Sequence, residues 1–237
     1  MVSPLLVSEP RLVAGAITGG ITTRRGFPAA TRPGHDDPAR EEGRRLLATL
    51  SGLESGRLAW LEQVHGRDVL AVDRGGSAGR ADGLVTRKQG LALLVAVADC
   101  GPVLLFDERA GVIGAAHAGW RGAVAGICGS TVRAMRDLGA SDISAWVGPC
   151  IGRDAFEVGE EVAAEFPAEC VDRTRERPHV DLARAIEVSL LDAGLRPDRI
   201  RLARQCTFQL GDRYWSYRRD GGICGRQFAW IVRSGKS

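Results

Sequence analysis

The hydrophobic and polar positions alternate in short segments along the chain, a pattern that predicts many short strands and a few helices. The apolar segment Leu91–Ala98 is continuous, which is typical of a central strand buried on both faces. Glycine-containing turns separate the other apolar segments. The further strands predicted are Ala59–Val64, Asp68–Val72, Val103–Asp107, Val112–Ala116, Ile143–Val147, Ile200–Ala203, Arg213–Tyr217 and Gln227–Val232.

Helical periodicity and helix-boundary residues predict four helices between these strands. The first begins at the Asp36-Asp37-Pro38 cap and ends near Leu50, and the others are Ala123–Leu138, Gly159–Phe166 and Asp181–Ala193. Helices and strands do not alternate strictly, so mixed sheets with helices packed outside are favoured over a doubly wound parallel sheet. Without an internal repeat or a clear linker, residues 1–237 are expected to form a single domain of α+β class.

Composition narrows the class of protein further. Hydrophobic residues make up 44% of the 237, enough for a sizeable core, and the net charge is only +3. No concentrated basic stripe is present, so neither a nucleic acid nor an anionic membrane is expected as a partner. The N-terminal segment lacks the features of a secretory signal, and no apolar segment is long enough to span a bilayer. A cytoplasmic protein with six reduced cysteines is expected.

Three segments place a metal-binding side chain within two positions of a glycine at the end of an apolar strand: QVHG (63–66), ADCGP (98–102) and AAHAGWRG (115–122). Their candidate ligands, His65, Cys100 and His117, lie 35 and 17 positions apart and therefore come from separate strands. Imidazole and thiolate are good zinc ligands, and three protein ligands with one open position are typical of a catalytic site. Spacing alone leaves open whether the three converge on one ion or are unrelated structural residues.

Longer motifs resemble a known family. The segments WLEQVHGRDV, ADGLVT, VADCGPVLLFD, GAAHAGWRGAVAG, WVGPCIG, FEVGEEV, QCTF and SYRRDGG-x-x-GR follow one another as in the laccase-domain, or YfiH-like, family of polyphenol oxidases and purine nucleoside phosphorylases. The resemblance runs from about Ile21 to the C-terminus. It implies α/β/β/α layers and zinc bound by His65, Cys100 and His117. It also implies phosphorolysis of adenosine, inosine, guanosine and methylthioadenosine, together with adenosine deamination.

Such a reaction needs cationic groups for phosphate, and planar guanidinium suits that role. Arg121, four residues after a ligand, is a candidate catalytic residue, and Arg24, Arg218 and Arg219 are candidate substrate- or phosphate-binding residues. Asp99 and Gln63 flank ligands and are candidates for orienting an imidazole or a bound water. Because adjacent strand residues point to opposite faces, Asp99 has the alternative of facing a neighbouring layer.

The chain departs from the family pattern at three places: the 25–36 loop is shorter, Glu62 replaces asparagine, and Gly101 replaces leucine. These departures leave the preferred nucleoside open, and nothing in the sequence specifies the oligomeric state.

One alternative function is that of a metal-free hydrolase or amidase for cell-wall precursors, with Cys100 as nucleophile and a histidine base. Copper-dependent phenol oxidation is the weaker metal alternative, because copper oxidase sites need more than the four histidines available. The last alternative is a non-enzymatic protein that keeps the fold and binds a partner.

Overall fold

Two six-stranded mixed sheets form the centre of the computed structural model, which describes residues 12–29, 38–221 and 223–234. The first sheet contains β1 (Leu12–Ala14), β2 (Ile17–Ile21), β3 (Leu58–Glu62), β5 (Gly76–Arg80), β7 (Ala92–Val97) and β14 (Gln227–Arg233), in the order β1-β2-β14-β7-β3-β5. The second contains β4 (Val69–Ala71), β6 (Gly83–Thr86), β8 (Gly101–Asp107), β9 (Val112–Ala118), β10 (Ser144–Val147) and β13 (Ile200–Leu202), in the order β13-β10-β8-β9-β6-β4. Strands β11 (Val171–Asp172) and β12 (His179–Val180) form a separate pair.

Of the helices in the described residues, the three longest cover the outer faces of the two sheets. The helices are α1 (Pro38–Ser51), α2 (Trp120–Ala125), α3 (Ile127–Asp137), α4 (Glu160–Ala163), α5 (Leu182–Asp192) and α6 (Tyr217–Asp220). Leu47 of α1 packs with Phe228 and Trp230 on the first sheet. Helices α3 and α5 pack on the second sheet through residues such as Val132 and Ile186. The order of layers is therefore helix, sheet, sheet, helix, which confirms the fold class expected from the resemblance.

Side chains alternate between the two faces of each central strand, so one strand contributes residues to two hydrophobic cores. In β7, Leu93 and Val95 point into the core between the sheets, whereas Leu94 faces α1. In β8, Leu104 lies in the same inter-sheet core, whereas Leu105 packs under α3 and α5. Both strands are apolar on both faces for this reason, as the continuous segment at Leu91–Ala98 predicted.

Several predicted elements differ from those observed. The predicted helix Ala123–Leu138 is divided between α2 and α3, because Gly126 adopts φ +89°, a left-handed conformation that ends a helix. The predicted strand Arg213–Tyr217 is wrong: the backbone N–H groups of Arg213 and Tyr214 bond to the Leu210 carbonyl in a turn. The short, glycine-rich strands β2, β5 and β6 were not predicted, nor was β1. The Asp36-Asp37 cap lies outside the described residues.

Both ends of α5 agree with their predicted boundary residues. Asp181 caps α5 by accepting a hydrogen bond from the Arg184 backbone N–H at 2.9 Å. Gly194, just after α5, has φ +87°, which suits the end of a helix. In the described part of the chain, no helix is both long enough and apolar enough to cross a bilayer.

Candidate functional site

His65, Cys100 and His117 converge where the two sheets meet. His65 follows β3 of the first sheet, Cys100 lies in the link from β7 to β8, and His117 is part of β9 in the second sheet. Their ligand atoms all lie within 4.8 Å of one another. Zinc bonds imidazole nitrogen at about 2.0–2.1 Å and thiolate sulfur at about 2.3 Å, so the three atoms fit a single ion with small adjustments.

Glycine and an unusual backbone conformation make room for this convergence. His65 has φ +60°, a left-handed value that is uncommon outside glycine and that turns its ring back toward β9. The rings of His65 and His117 meet edge to face, with their centroids 4.8 Å apart. A Cβ at Gly119 would lie 3.0 Å from both Cys100 Sγ and His65 Cδ2. The glycine of the HAGWRG motif therefore leaves space for the ligands.

Asp82, directly before β6, holds two of the three ligands. Its Oδ1 lies 2.7 Å from His117 Nδ1 and accepts the His65 backbone N–H at 3.0 Å. Its Oδ2 accepts the backbone N–H groups of Val64 and Gly66, at 3.2 and 2.7 Å. A proton on Nδ1 of His117 leaves Nε2 free for a metal ion. The carboxylate therefore fixes both the tautomer of one ligand and the turn that carries the other.

The ionisation of Cys100, His117 and Asp82 depends on the contacts among them. Burial raises the pKa of Cys100, but the neighbouring His117 and His65 lower it by more, to about 6. Burial lowers the pKa of His117, but the Cys100 thiolate and Asp82 raise it to about 9. Burial raises the pKa of Asp82, whereas hydrogen bonds from His117 and from Gly66 outweigh burial and hold it below its ordinary value. The site thus favours thiolate, the form of cysteine that binds metals.

A pocket of about 660 Å³ opens beside these ligands. Seven of the nine side chains singled out in the sequence line it: Gln63, His65, Asp99, Cys100, His117, Arg121 and Arg218. Arg24 and Arg219 are not among its lining residues. The remaining wall is largely apolar and includes Trp120, Ile151, Phe156, Val158, Val162 and Leu182, with Tyr217 and Arg226.

The arginines divide by their surroundings. Arg121 lies with its Cζ 4.3 Å from the Trp120 ring centroid, and Arg218 donates to the Glu157 carbonyl at 2.9 Å. Both residues line the pocket. Arg219 instead donates to the carbonyls of Thr207, Phe208 and Tyr214, at 2.7–2.9 Å, and so joins segments of the main chain.

Arg24 also lies among main-chain partners rather than in the pocket. Its guanidinium donates to the Gly211 carbonyl at 2.6 Å and lies 4.0 Å from the Trp215 ring centroid. Its backbone N–H donates to the Arg213 carbonyl at 2.7 Å. These contacts join the N-terminal part of the chain to the turn before α6.

Asp99 and Gln63 bind other groups than the imidazoles. Gln63 holds the Ala96 backbone through two hydrogen bonds of 2.8 Å. Asp99 accepts from Thr207, Ser216 and Arg218. Of the two roles expected of them, orienting an imidazole or a bound water, the first is performed for His117 by Asp82, a residue that was not among the candidates. Asp82 belongs to the ADGLVT motif, but an aspartate before glycine is typical of a turn. The one signal that distinguishes it is its position directly before a short apolar strand.

The departures from the family pattern have local structural partners. At Gly101, a Cβ would clash with the Cδ1 atom of Ile186 in α5, so the absence of a side chain accommodates that isoleucine. Glu62 is exposed and lies 3.6 Å from Arg80 on the neighbouring strand β5. Of the 25–36 loop, residues 30–36 lie outside the described residues.

Comparison with known proteins gives one consistent family. The family model for multi-copper polyphenol oxidoreductase laccase matches residues 25–234. A Deinococcus radiodurans protein named purine nucleoside phosphorylase is 42% identical over 203 residues, which cover 83% of this chain and 78% of that protein. A Streptomyces griseus protein of the same name is 41% identical over 214 residues, covering 83% of each.

Solved structures agree with the sequence comparisons. YlmD from Geobacillus stearothermophilus matches with a TM-score of 0.85 and 31% identity, over 93% of both chains. The hypothetical protein YfiH from Bacillus licheniformis matches with a TM-score of 0.84 and 26% identity, over 91% of this chain and 92% of that one. The chain therefore belongs to the multi-copper polyphenol oxidoreductase laccase family, the laccase-domain family that its motifs resemble.

Proposed function

We propose that this chain is a zinc-dependent purine nucleoside phosphorylase that also deaminates adenosine. Its substrates would be adenosine, inosine, guanosine and methylthioadenosine together with phosphate. The observation that carries the proposal is the convergence of two imidazoles and one thiolate beside a pocket with guanidinium groups in its wall. Relatives named purine nucleoside phosphorylase, at 35–42% identity, support the class of reaction.

The pocket suits both halves of the substrate. Its volume of about 660 Å³ is within the range of small-molecule sites, and its apolar wall matches a purine ring. Trp120 and Phe156 offer aromatic surface there. Arg121 and Arg218 offer charged, planar donors for the phosphate. In phosphorolysis a phosphate oxygen bonds to the ribose C1′ as the bond from C1′ to the purine breaks, and the products are free base and ribose 1-phosphate.

The residues around the ligands have separate tasks in this proposal. Asp82 holds His117 and the His65 turn in place, and Gly119 leaves the space in which the ligands meet. His65, Cys100 and His117 would hold the zinc ion, which would supply Lewis-acid chemistry and a source of hydroxide at neutral pH. Arg121 and Arg218 neutralise the phosphate and orient it toward the ribose. The apolar wall excludes water from the reacting bond.

Zinc fits this donor set better than a cluster of copper ions. The chain contains four histidines, and the one group of potential metal ligands found among the described residues includes two of them. Oxidase copper sites need a larger set of histidines. A single ion held by two imidazoles and a thiolate, with an open position, matches catalytic zinc.

A metal-free hydrolase is the second candidate, and one observation favours it. Cys100, His117 and Asp82 are connected in the order nucleophile, base and orienting carboxylate. The lowered pKa of Cys100, about 6, makes its thiolate available at neutral pH without a metal ion. An amide-containing cell-wall precursor would be the substrate.

Elemental analysis with an activity assay separates the two candidates. Purified protein is expected to hold about one zinc ion per chain, and Cys100→Ala is expected to lose it. Zinc-loaded protein given adenosine and phosphate is expected to release adenine and ribose 1-phosphate, and chelated protein is expected to be inactive. Full zinc occupancy in Cys100→Ala would remove that residue from the ligand set. Nucleosides left intact by zinc-loaded protein would disprove the assigned reaction.

A further inference from the structure

The Asp99 side chain forms hydrogen bonds with the segment that carries Arg218. Its Oδ2 accepts the Arg218 backbone N–H at 2.7 Å and the Ser216 hydroxyl at 3.0 Å. Its Oδ1 accepts the Thr207 hydroxyl at 2.6 Å. Asp99 is only 8% exposed. A buried carboxylate with three donors is a strong and well-defined anchor for the groups it binds.

The backbone of Asp99 is fixed as firmly as its side chain. Asp99 has φ +82°, a left-handed value that aspartate tolerates better than most residues do. Its carbonyl accepts the Ile151 N–H at 2.9 Å. Because Cys100 is the next residue, the conformation that presents the thiolate at the metal centre also directs the Asp99 carboxylate to the 216–218 segment.

Arg218 is held from the opposite side as well. Its guanidinium donates to the Glu157 carbonyl at 2.9 Å, and its Cζ lies 5.7 Å from the Phe156 ring centroid. The side chain therefore extends along the pocket between two fixed points, the Asp99 carboxylate at its backbone and the 156–157 loop at its tip. Releasing the backbone end would let the guanidinium move relative to the metal centre.

We propose that Asp99 is a positioning residue that connects the Cys100 turn to the 216–218 segment and thereby sets the distance from the metal centre to the Arg218 guanidinium. The proposal rests on the proposed function, in which Arg218 holds the phosphate. Asp99 acts through hydrogen bonds to Ser216 and Arg218, and it is not one of the three candidate metal ligands. Its loss should affect the use of phosphate and leave metal binding intact.

Two substitutions separate the hydrogen bonds from the backbone conformation. Asp99→Asn can keep every contact, because its oxygen can accept from Ser216 and Arg218 while its amide donates to the Thr207 hydroxyl. Asp99→Gly keeps the left-handed backbone but removes all three contacts. Thr207→Val is the matched control: it removes the third contact of Asp99 and leaves the bonds to the 216–218 segment in place.

Steady-state kinetics on zinc-loaded protein is the first measurement. Asp99→Gly is expected to raise the KM for phosphate about 10-fold or more, with a smaller change in kcat and unchanged zinc content. Asp99→Asn and Thr207→Val are expected to stay within about 3-fold of the wild-type KM. A wild-type phosphate KM in Asp99→Gly, or loss of zinc from it, would overturn the proposal. Equal impairment of Asp99→Asn and Asp99→Gly would also overturn it.

Amide hydrogen exchange tests the link without any substrate. In Asp99→Gly, exchange at the Arg218 amide is expected to accelerate about 10-fold or more, while β9 with His117 remains protected. If the wild type does not cleave nucleosides but this change is seen, the proposed function fails and the Asp99 link stands. If nucleosides are cleaved and the variant changes neither exchange nor KM, the Asp99 proposal alone is refuted.

Discussion

The Asp82 carboxylate accepts four hydrogen bonds, and Asp82→Asn replaces one of its two acceptor oxygens with a donor. If the new amide takes the Oδ2 position, it faces the N–H groups of Val64 and Gly66. If it takes the Oδ1 position, it faces the His65 N–H and His117 Nδ1. His117 can then keep a hydrogen bond only by accepting at Nδ1, which puts its proton on Nε2 and blocks metal binding.

The cost of either orientation follows from these contacts. With the amide at Oδ2, two backbone donors are left unpaired at about 1–3 kcal/mol each, or about 2–6 kcal/mol in total. With the amide at Oδ1, one donor is unpaired and one ligand holds the wrong tautomer. Loss of a group that orients a ligand typically weakens metal binding about 10- to 100-fold. Asp82→Asn is therefore expected to lower both the free energy of unfolding and the affinity for zinc.

Asp107→Asn is the matched control, because Asp107 is another buried aspartate that binds backbone donors, at the far end of β8 from Cys100. Its carboxylate accepts from Ala110, Ser141 and Asp142 at 2.7–2.9 Å. An asparagine there can still accept from the latter two and leaves one donor unpaired, at about 1–3 kcal/mol. Asp107→Asn should therefore lose stability and keep its zinc affinity.

Competition with a chromophoric zinc chelator measures the affinity, and urea denaturation of the metal-free proteins measures the stability. The reasoning is refuted if Asp82→Asn binds zinc within about twofold of the wild type. It is equally refuted if Asp107→Asn loses as much zinc affinity as Asp82→Asn does.

Three further predictions concern single residues. Arg121→Ala should raise the KM for phosphate about 10-fold or more with zinc content unchanged, and an unaltered phosphate dependence in initial-rate assays would make Arg121 structural. Arg219→Ala should lower the free energy of unfolding by about 2–4 kcal/mol because three carbonyls lose their donor, and an unchanged denaturation midpoint would contradict this. Burial raises the pKa of Asp107, but backbone N–H groups outweigh burial and lower it. The stability that Asp107 adds is thus fully present above its unfolded pKa of about 3.9 and disappears as pH falls through the lower folded pKa. Urea titrations of wild type and Asp107→Asn should therefore converge in acid, and a constant difference would refute the linkage.

The hydrophobic pattern predicted mixed sheets with helices outside because the central strands carry a strong apolar signal, whereas the order of the four layers came from the family resemblance. Leu91–Ala98 is buried on both faces and has no other reasonable interpretation. The signal is weak where burial is weak. Strand β5, with the sequence GSAGR, is largely polar and exposed at the edge of its sheet. Backbone pairing with β3 stabilises it, because its side chains bury little apolar surface. The helical periodicity places Gly126 inside a predicted helix, although its φ of +89° ends α2.

For the candidate site, the sequence indicated the three ligands and missed the group that holds them. His65, Cys100 and His117 are distinctive residue types within two positions of a glycine, whereas Asp82 is an ordinary turn residue until tertiary contacts place it beside His117. The same limit applies to the arginines. Arg218 and Arg219 are adjacent in sequence, yet one faces the pocket and the other binds main-chain carbonyls, because successive residues of α6 point in different directions.

The three ligands come from both layers of the sandwich, so one ion holding them would fasten the two sheets to each other. Its binding free energy would then add to the cohesion of the apolar interface that Leu93, Leu104 and Ile113 form. By thermodynamic reciprocity, a substitution that destabilises that interface would lower the affinity for the ion, even if the substituted residue does not contact the ion. The concentration of available metal ion would thus affect the thermal stability of the folded chain as well as its catalytic activity.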